Sequence, residues 1–315
     1  MQTAREHGKA LRLRVVLLLV LSVSMVSSAS ILIKLSVSQS LVKVFWRTLY
    51  GAVFMVLIGA IHKDLSAFRG PFVRSNWRWL VFTGVMLSLH FSAWFTSLTM
   101  TSVAASVVLT DSSPIFTAIL STLVLREPLR RMSWAGVIVA VTGAVALAWG
   151  DFQNAGGEAL AGDLMALLSA FFLAVYFIGG RRYAKGLPIS VYTSIVYACA
   201  AGTTLVFCIV SGTNLLVFEP REVAIFLALA IFPTVLGHSV NNYLLTLVPA
   251  YVVSSAVIGE PIGATLLAVV FLYQVPSVTT ILGFAIILIG IALVIMDFAH
   301  GDKRKVSALD HSDGA

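Results

Sequence analysis

His90, Trp94 and Ser97 follow one another at spacings of four and three, which on a helix puts all three on one face. Thr234, His238 and Asn241 repeat the pattern in the second half of the chain, with Asn242 adjacent. Both sets mix aromatic and hydrogen-bonding groups, the lining that a cavity for a small polar molecule needs. Tyr176 can add a hydroxyl donor to them. Two carboxylates, Asp111 and Glu260, interrupt stretches that are otherwise apolar. At the centre of a membrane-spanning helix such a group costs about 2.5–3.5 kcal/mol, so by default it marks a substrate or ion path. A carboxyl and a histidine at one depth can share a proton, which would couple occupancy to pH in the range where histidine titrates. Lys34 lies at a depth comparable with Asp111, and pairing would relieve both charges. Arg47 sits within about a turn of the outer end of its stretch and reads as a side chain that snorkels to the headgroups.

Helices that cross a bilayer must position these groups. The 315 residues are 59% hydrophobic and 11% charged, with a mean hydropathy of +0.96. No single water-soluble core absorbs that composition, so the solvent must be lipid. At about 20 apolar residues per spanning helix, the sequence parses into ten stretches: 15–35, 44–61, 79–99, 103–125, 133–150, 162–181, 190–211, 223–245, 251–272 and 277–297. The expectation is an all-α membrane protein of ten transmembrane helices with the lipid bilayer around it.

A register of 147 residues relates the two halves. Pro261 falls on Pro114, Gly283 on Gly136 and Gly290 on Gly143, and Leu245-Thr246 falls on Leu98-Thr99 without gaps. Residues 1–150 and 151–315 therefore read as two five-helix repeats, and an odd number of spans per repeat makes them inverted. Gly136 and Gly143 lie about two turns apart, as do Gly283 and Gly290, so each pair lets another helix approach closely. Pro114 and Pro261 remove a backbone donor within a span, giving either a gating kink or a static bend. Asp163 reads as a cap on the sixth stretch.

Orientation follows from Lys and Arg. With the N-terminus inside, seventeen of the 21 basic residues fall on the cytoplasmic side, and only Lys43 and Arg221 lie in outer loops. Both termini should face the cytoplasm in a multi-pass protein of the cell membrane. The formal net charge of +7 is spread over five cytoplasmic segments and forms no single patch, which speaks against nucleic acid as a partner. Cys199 and Cys208 share one stretch about 13 Å apart along its axis and cannot pair. The first apolar stretch is long enough to span and follows a basic segment, so it serves as its own insertion signal.

Around the paired prolines the sequence resembles the EamA-type branch of the drug/metabolite transporter superfamily. The resemblance rests on Pro114-Ile115-Phe116-Thr117-Ala118, Leu125-Arg126-Glu127-Pro128-Leu129, Trp134-Ala135-Gly136 and Gly143 in the first half. In the second it rests on Gly162-Asp163, Gly237-His238 with Asn241, Gly259-Glu260-Pro261, Gly283 and Gly290. It covers nearly the whole chain. It implies a ten-helix inverted-repeat fold around a central cavity, and movement of small metabolites without fixing which. One departure stands out: Gln274 occupies the position matching Glu127. Glu127 itself, beside Arg126 and Arg130, reads as a loop tie.

Two rival classes find less support. The sequence has no His-Glu-x-x-His, no glycine-rich phosphate loop and no Gly-x-Ser-x-Gly turn, so enzyme and cofactor readings lack a motif. An intramembrane enzyme using Asp111 and Glu260 together is disfavoured because the two fall on different halves and depths. A scaffold would explain the glycines and leave the buried charges idle. The expected function is secondary transport of a small polar metabolite such as an amino acid by alternating access. The expected substrate-binding residues are Lys34, His90, Trp94, Asp111, Tyr176, His238, Asn241 and Glu260, with kinks at Pro114 and Pro261.

Overall fold

A computed structural model describes the backbone of residues 2–101, 103–152, 157–216, 219–272 and 278–312. Side chains are described between residues 10 and 300, except 102–105, 147–158, 217–218, 268, 272–277 and 279–280. Among the described residues every regular element is helical. The helices are α1 (Gln2–Val26), α2 (Ser28–Leu35), α3 (Ser40–Ile61), α4 (Pro71–Met100), α5 (Val103–Thr110), α6 (Ser113–Leu120), α7 (Arg131–Phe152) and α8 (Gly157–Tyr183). They continue with α9 (Ile189–Ser211), α10 (Pro220–Leu229), a π-helical segment (Ala230–His238), α11 (Ser239–Leu247), α12 (Ala250–Val257), α13 (Glu260–Leu272) and α14 (Val278–Ser312).

Among the described residues nine helical stretches are long and apolar enough to cross a membrane, from Ala10–Leu35 to Ile281–His300. The fifth expected span is helical as α7, of which the described apolar part, Arg131–Ala146, is shorter than the other nine. The spans turn Val20, Val53, Leu57, Val206 and Ile209 outward, as lipid requires of a surface that no water hydrates.

The helices are broken in a regular way. α5 gives way to α6 across residues 111–112, and α12 to α13 across 258–259. The 147-residue register carries each end of the first break onto the matching end of the second, Thr110 onto Val257 and Ser113 onto Glu260. Pro114 and Pro261 sit in the first turn of α6 and α13. There a missing N–H costs little, because no carbonyl one turn back awaits it. They open the second half-helix of each broken span. The first span breaks as well, at Ser27 between α1 and α2, which has no counterpart within α8.

Small residues set the closest approaches. α7 packs along α14, where a Cβ on Gly136 would stand 2.7 Å from the Gly290 carbonyl, and a Cβ on Gly143 would stand 2.8 Å from the Ile287 nitrogen. Both glycines thus serve packing, as their two-turn spacing predicts. Elsewhere α4 packs on α8 and α9, while α3 packs on α9 and the π segment. The buried core gathers Leu87, Phe91, Phe95, Phe177 and Tyr197 between them.

Candidate functional site

Arg47 is the largest fully buried side chain among the described residues, at 0% exposure, and the snorkelling expectation fails. Depth arithmetic places a residue along a helix axis and says nothing of its rotation about that axis. Arg47 lies on the buried stripe of α3 with Val44, Thr48, Gly51, Ala52 and Met55, while Val53, Val56 and Leu57 face outward. That stripe is rich in small residues, and this was the available signal. Gly51, one turn on, lets the π segment close in: a Cβ there would stand 2.9 Å from Thr234 Cγ2.

The π segment in turn owes its shape to Pro233, which has no N–H to give the Leu229 carbonyl. The Thr234 hydroxyl replaces it, donating to Leu229 O at 2.8 Å and accepting from Arg47 Nε at 3.1 Å. Tyr197 Oη donates to Thr234 O at 3.2 Å and secures the displaced turn. The guanidinium rests on the Phe91 ring, 3.9 Å from its centroid. One face and Nε are thereby fixed, and Nη1 and Nη2 are left without a protein acceptor. Thr234→Val, which keeps shape and removes the hydroxyl, is expected to destabilise the protein by about 1–3 kcal/mol, since Leu229 O and Arg47 Nε both lose their partner. A thermal unfolding midpoint equal to wild type would contradict that role.

The two carboxylates occupy the helix breaks. Asp111 falls in the gap between α5 and α6, and Glu260 begins α13. The turn at Ser27 docks on the second break, its hydroxyl 3.1 Å from the Glu260 carbonyl, and Gly263 makes room for it. Asp111 Oδ2 and Glu260 Oε1 are buried and have no hydrogen-bond partner.

His90 on α4 is held by α8. Its Nδ1 lies 3.1 Å from the Ser169 carbonyl and 2.8 Å from the Ser169 hydroxyl. Nδ1 donates to the carbonyl when it carries the proton and accepts from the hydroxyl when it does not, so Ser169 holds the ring in either tautomer. The imidazole stacks on Trp94 at 6.2 Å and meets His238 edge to face at 6.5 Å. Trp94 Nε1, His238 Nδ1 and both side-chain heteroatoms of Asn241 are buried and unpartnered.

One cavity collects these groups. It is lined by Arg47, His90, Trp94, Asp111, His238, Asn241 and Glu260, with Val26, Ala29, Val107, Leu173 and Val257 among its apolar walls. Six of the eight side chains expected from sequence therefore share one space. Its free volume is about 20 Å³, room for a water molecule or two. A larger solute enters only if the helices move apart.

Two expected members lie elsewhere. Lys34, near the end of α2, is exposed and does not line the cavity, so the Lys34–Asp111 pair does not form. Tyr176 is fully buried behind the wall, where Asn242 Nδ2 donates to its hydroxyl at 2.5 Å and its ring meets His238 edge to face. It backs the site and does not line it. Glu127 takes a two-pronged bond from Arg181, at 2.7 Å to Nη2 and 3.0 Å to Nε, and so ties the end of the fourth span to α8. The register pairs Arg181 with Lys34 and Glu127 with Gln274, so Lys34 is the first-half counterpart of Arg181 and the matching second-half position carries no carboxylate. Gln274 lies outside the described residues. Asp163 accepts from the Thr101 hydroxyl at 2.8 Å.

Known proteins resemble this arrangement along its length. The chain is 26% identical over 259 residues to the uncharacterized transporter YwfM of Bacillus subtilis (strain 168), covering 79% of this chain and 82% of that one. It is 24% identical over 184 residues to the uncharacterized transporter YdfC of the same organism, covering 58% and 59%. A solved crystal structure shares the fold with a TM-score of 0.74 at 20% identity, over 91% of this chain and 98% of its own. The profile of the EamA-like transporter family matches residues 13–149 and again 160–296, stretches that begin and end 147 residues apart. Two consecutive matches of that kind leave little of the chain outside them, and this multi-pass membrane protein belongs to the EamA-like transporter family.

Proposed function

We propose that the protein is a secondary transporter that carries a small polar metabolite, such as an amino acid, through this cavity by alternating access. One observation carries the reading most: unpartnered cationic, anionic and neutral polar atoms from five spans converge on a single cavity beside two broken helices. Buried polar groups are normally satisfied. A set left open together, facing one space, suits a ligand that completes it. Broken spans with half-helix ends turned to a site are the common construction of secondary transporters.

In this reading α7 is the fifth of ten spans, residues 1–150 and 151–315 are inverted five-helix repeats, and both termini face the cytoplasm. The offset-related breaks and the offset-related family matches favour the repeat. The repeats rock about the cavity, and the half-helices that begin at Pro114 and Pro261 supply the local motion. The narrow free volume suits a form closed around the site between its two open states. Lys34, on the outside of this arrangement, takes no part in binding.

Purified protein in liposomes is expected to take up labelled amino acids saturably without nucleotide, and counterflow should accelerate uptake. If no organic solute of any class is carried or bound, the transport reading fails at this site. Orientation has its own test. In a background free of Cys199 and Cys208, Val37→Cys, which places a thiol at an exposed site, should label with an impermeant reagent from outside sealed cells. Ser66→Cys, in the loop after α3, should stay unlabelled. The reverse pattern inverts the topology.

A further inference from the structure

Arg47 has an attraction that the cavity does not satisfy. Among the described residues no other charged side chain is so completely buried, and no carboxylate pairs with it. The ion pairs described, Arg130–Asp297 and Arg181–Glu127, lie away from the cavity. Removing one ion from water without a counter-charge costs several kcal/mol. Yet the fold arranges for it: Gly51, Pro233, Thr234 and Phe91 together hold the guanidinium by one edge and one face. What remains is the pair of terminal nitrogens, Nη1 and Nη2, with no acceptor in the protein. Two parallel N–H donors in a fixed plane match the two oxygens of a carboxylate.

Resting on the transport reading above, we infer that Arg47 is the residue that receives the carboxylate of the substrate, which makes the substrate class small α-amino acids with an apolar side chain. The other end of the molecule finds its place in the same cavity. Asp111 Oδ2 and Glu260 Oε1 are unpartnered carboxyl oxygens there and suit an ammonium. A phosphate fits poorly, because its second negative charge would face those carboxylates with one arginine to offset them. A simple amine would leave Arg47 as open as before. Val26, Ala29, Val107 and Leu173 form an apolar wall for the side chain.

The test compares acids with their amides on the purified full-length protein. L-leucine, L-phenylalanine and L-valine, each alongside its carboxamide, are titrated by thermal shift and used in counterflow. The carboxamide keeps size and ammonium and removes the negative charge. Wild-type protein is expected to bind at least one acid about tenfold or more tightly than its amide, the range for a hydrogen-bonded charge. Arg47→Gln should abolish that preference while amide affinity changes little, and Arg47→Lys, a point charge without the fork, should reduce it several-fold. If wild type binds amide and acid equally, or either variant keeps the full preference, Arg47 does not read the carboxylate, although transport through the cavity survives. If Arg47→Gln fails to fold, the wild-type comparison and Arg47→Lys decide the matter. Should the protein carry a sugar or another uncharged solute and no amino acid, the substrate class falls together with the role of Arg47. Should it carry nothing, the transport reading itself is what has failed.

Discussion

Glu260→Gln is expected to fold as wild type does and to lose about tenfold to a hundredfold in substrate affinity, or else to lose the pH dependence of transport between about pH 5 and 8. The substitution keeps length, volume and the ability to accept a hydrogen bond. The backbone interaction that fixes the second break is untouched, since it runs from the Ser27 hydroxyl to the main-chain carbonyl of residue 260. What disappears is the ionisable carboxyl, whose Oε1 no protein group partners. A structural role would leave a signature of the opposite kind, with lost stability and unchanged affinity. A well-folded variant with wild-type affinity and wild-type pH profile would make Glu260 a structural residue. The site would then rest on His90, Trp94 and Asn241, with Asp111→Asn as the next carboxylate to try.

Much of the site was legible because helical periodicity is strict. The spacing of His90 and Trp94, and of His238 and Asn241, puts each pair on one face whatever the tertiary arrangement. The 147-residue register then places the two faces at the same level. Asp111 and Glu260 were conspicuous because charge is rare in a span. Their position at helix breaks was less so. Pro114 and Pro261 signalled an irregularity, but a proline reads equally as a kink or as the first turn of a new helix.

Rotation and side-chain reach were the parts that sequence could not supply. Lys34 and Arg47 have the same charge and similar distances from a helix end, and they have opposite fates: one is exposed, the other is fully buried. Only the company each keeps distinguishes them. Arg47 shares its stripe with Thr48, Gly51 and Ala52, the small and polar residues of a helix that faces protein. Lys34 is followed by Leu35, also exposed, at the end of α2. The π segment was beyond reach for a different reason. Pro233 announces a lost hydrogen bond, but whether the helix breaks, bends or widens depends on Thr234 and Tyr197 meeting the freed carbonyls.

The repeat is also less symmetric than its sequence register. The breaks at 111–112 and 258–259 correspond, while the π segment has no counterpart in α4, which runs unbroken through the equivalent residues. Charge follows the same asymmetry, for the register sets Ser113 against Glu260, Ile258 against Asp111 and Ser194 against Arg47. A duplicated scaffold thus carries a site whose charges are each present once. A two-ended molecule, unlike on its two sides, is the ligand that such a site distinguishes.

Gly290→Ala and Gly202→Ala are expected to shift stability in opposite directions, although both place the same methyl group on a glycine of a membrane helix. At residue 290 the new Cβ would stand 2.6 Å from the Gly136 carbonyl oxygen and 2.7 Å from Ala140 Cα. These are backbone atoms of α7 and cannot swing aside as a side-chain end would. The two helices must separate, and overpacking of this kind costs about 1–3 kcal/mol. At residue 202 in α9 nothing lies within 4 Å of the new atom. There the substitution removes only the conformational freedom of glycine, which favours the helix by about 0.5–1 kcal/mol. Thermal unfolding in one detergent should therefore show Gly290→Ala below wild type and Gly202→Ala at or above it, and the double variant near their sum, since the sites share no neighbour. Equal behaviour at the two positions would mean that α7 and α14 do not meet through Gly136 and Gly290, and the close packing that makes α7 part of the bundle would have to be abandoned.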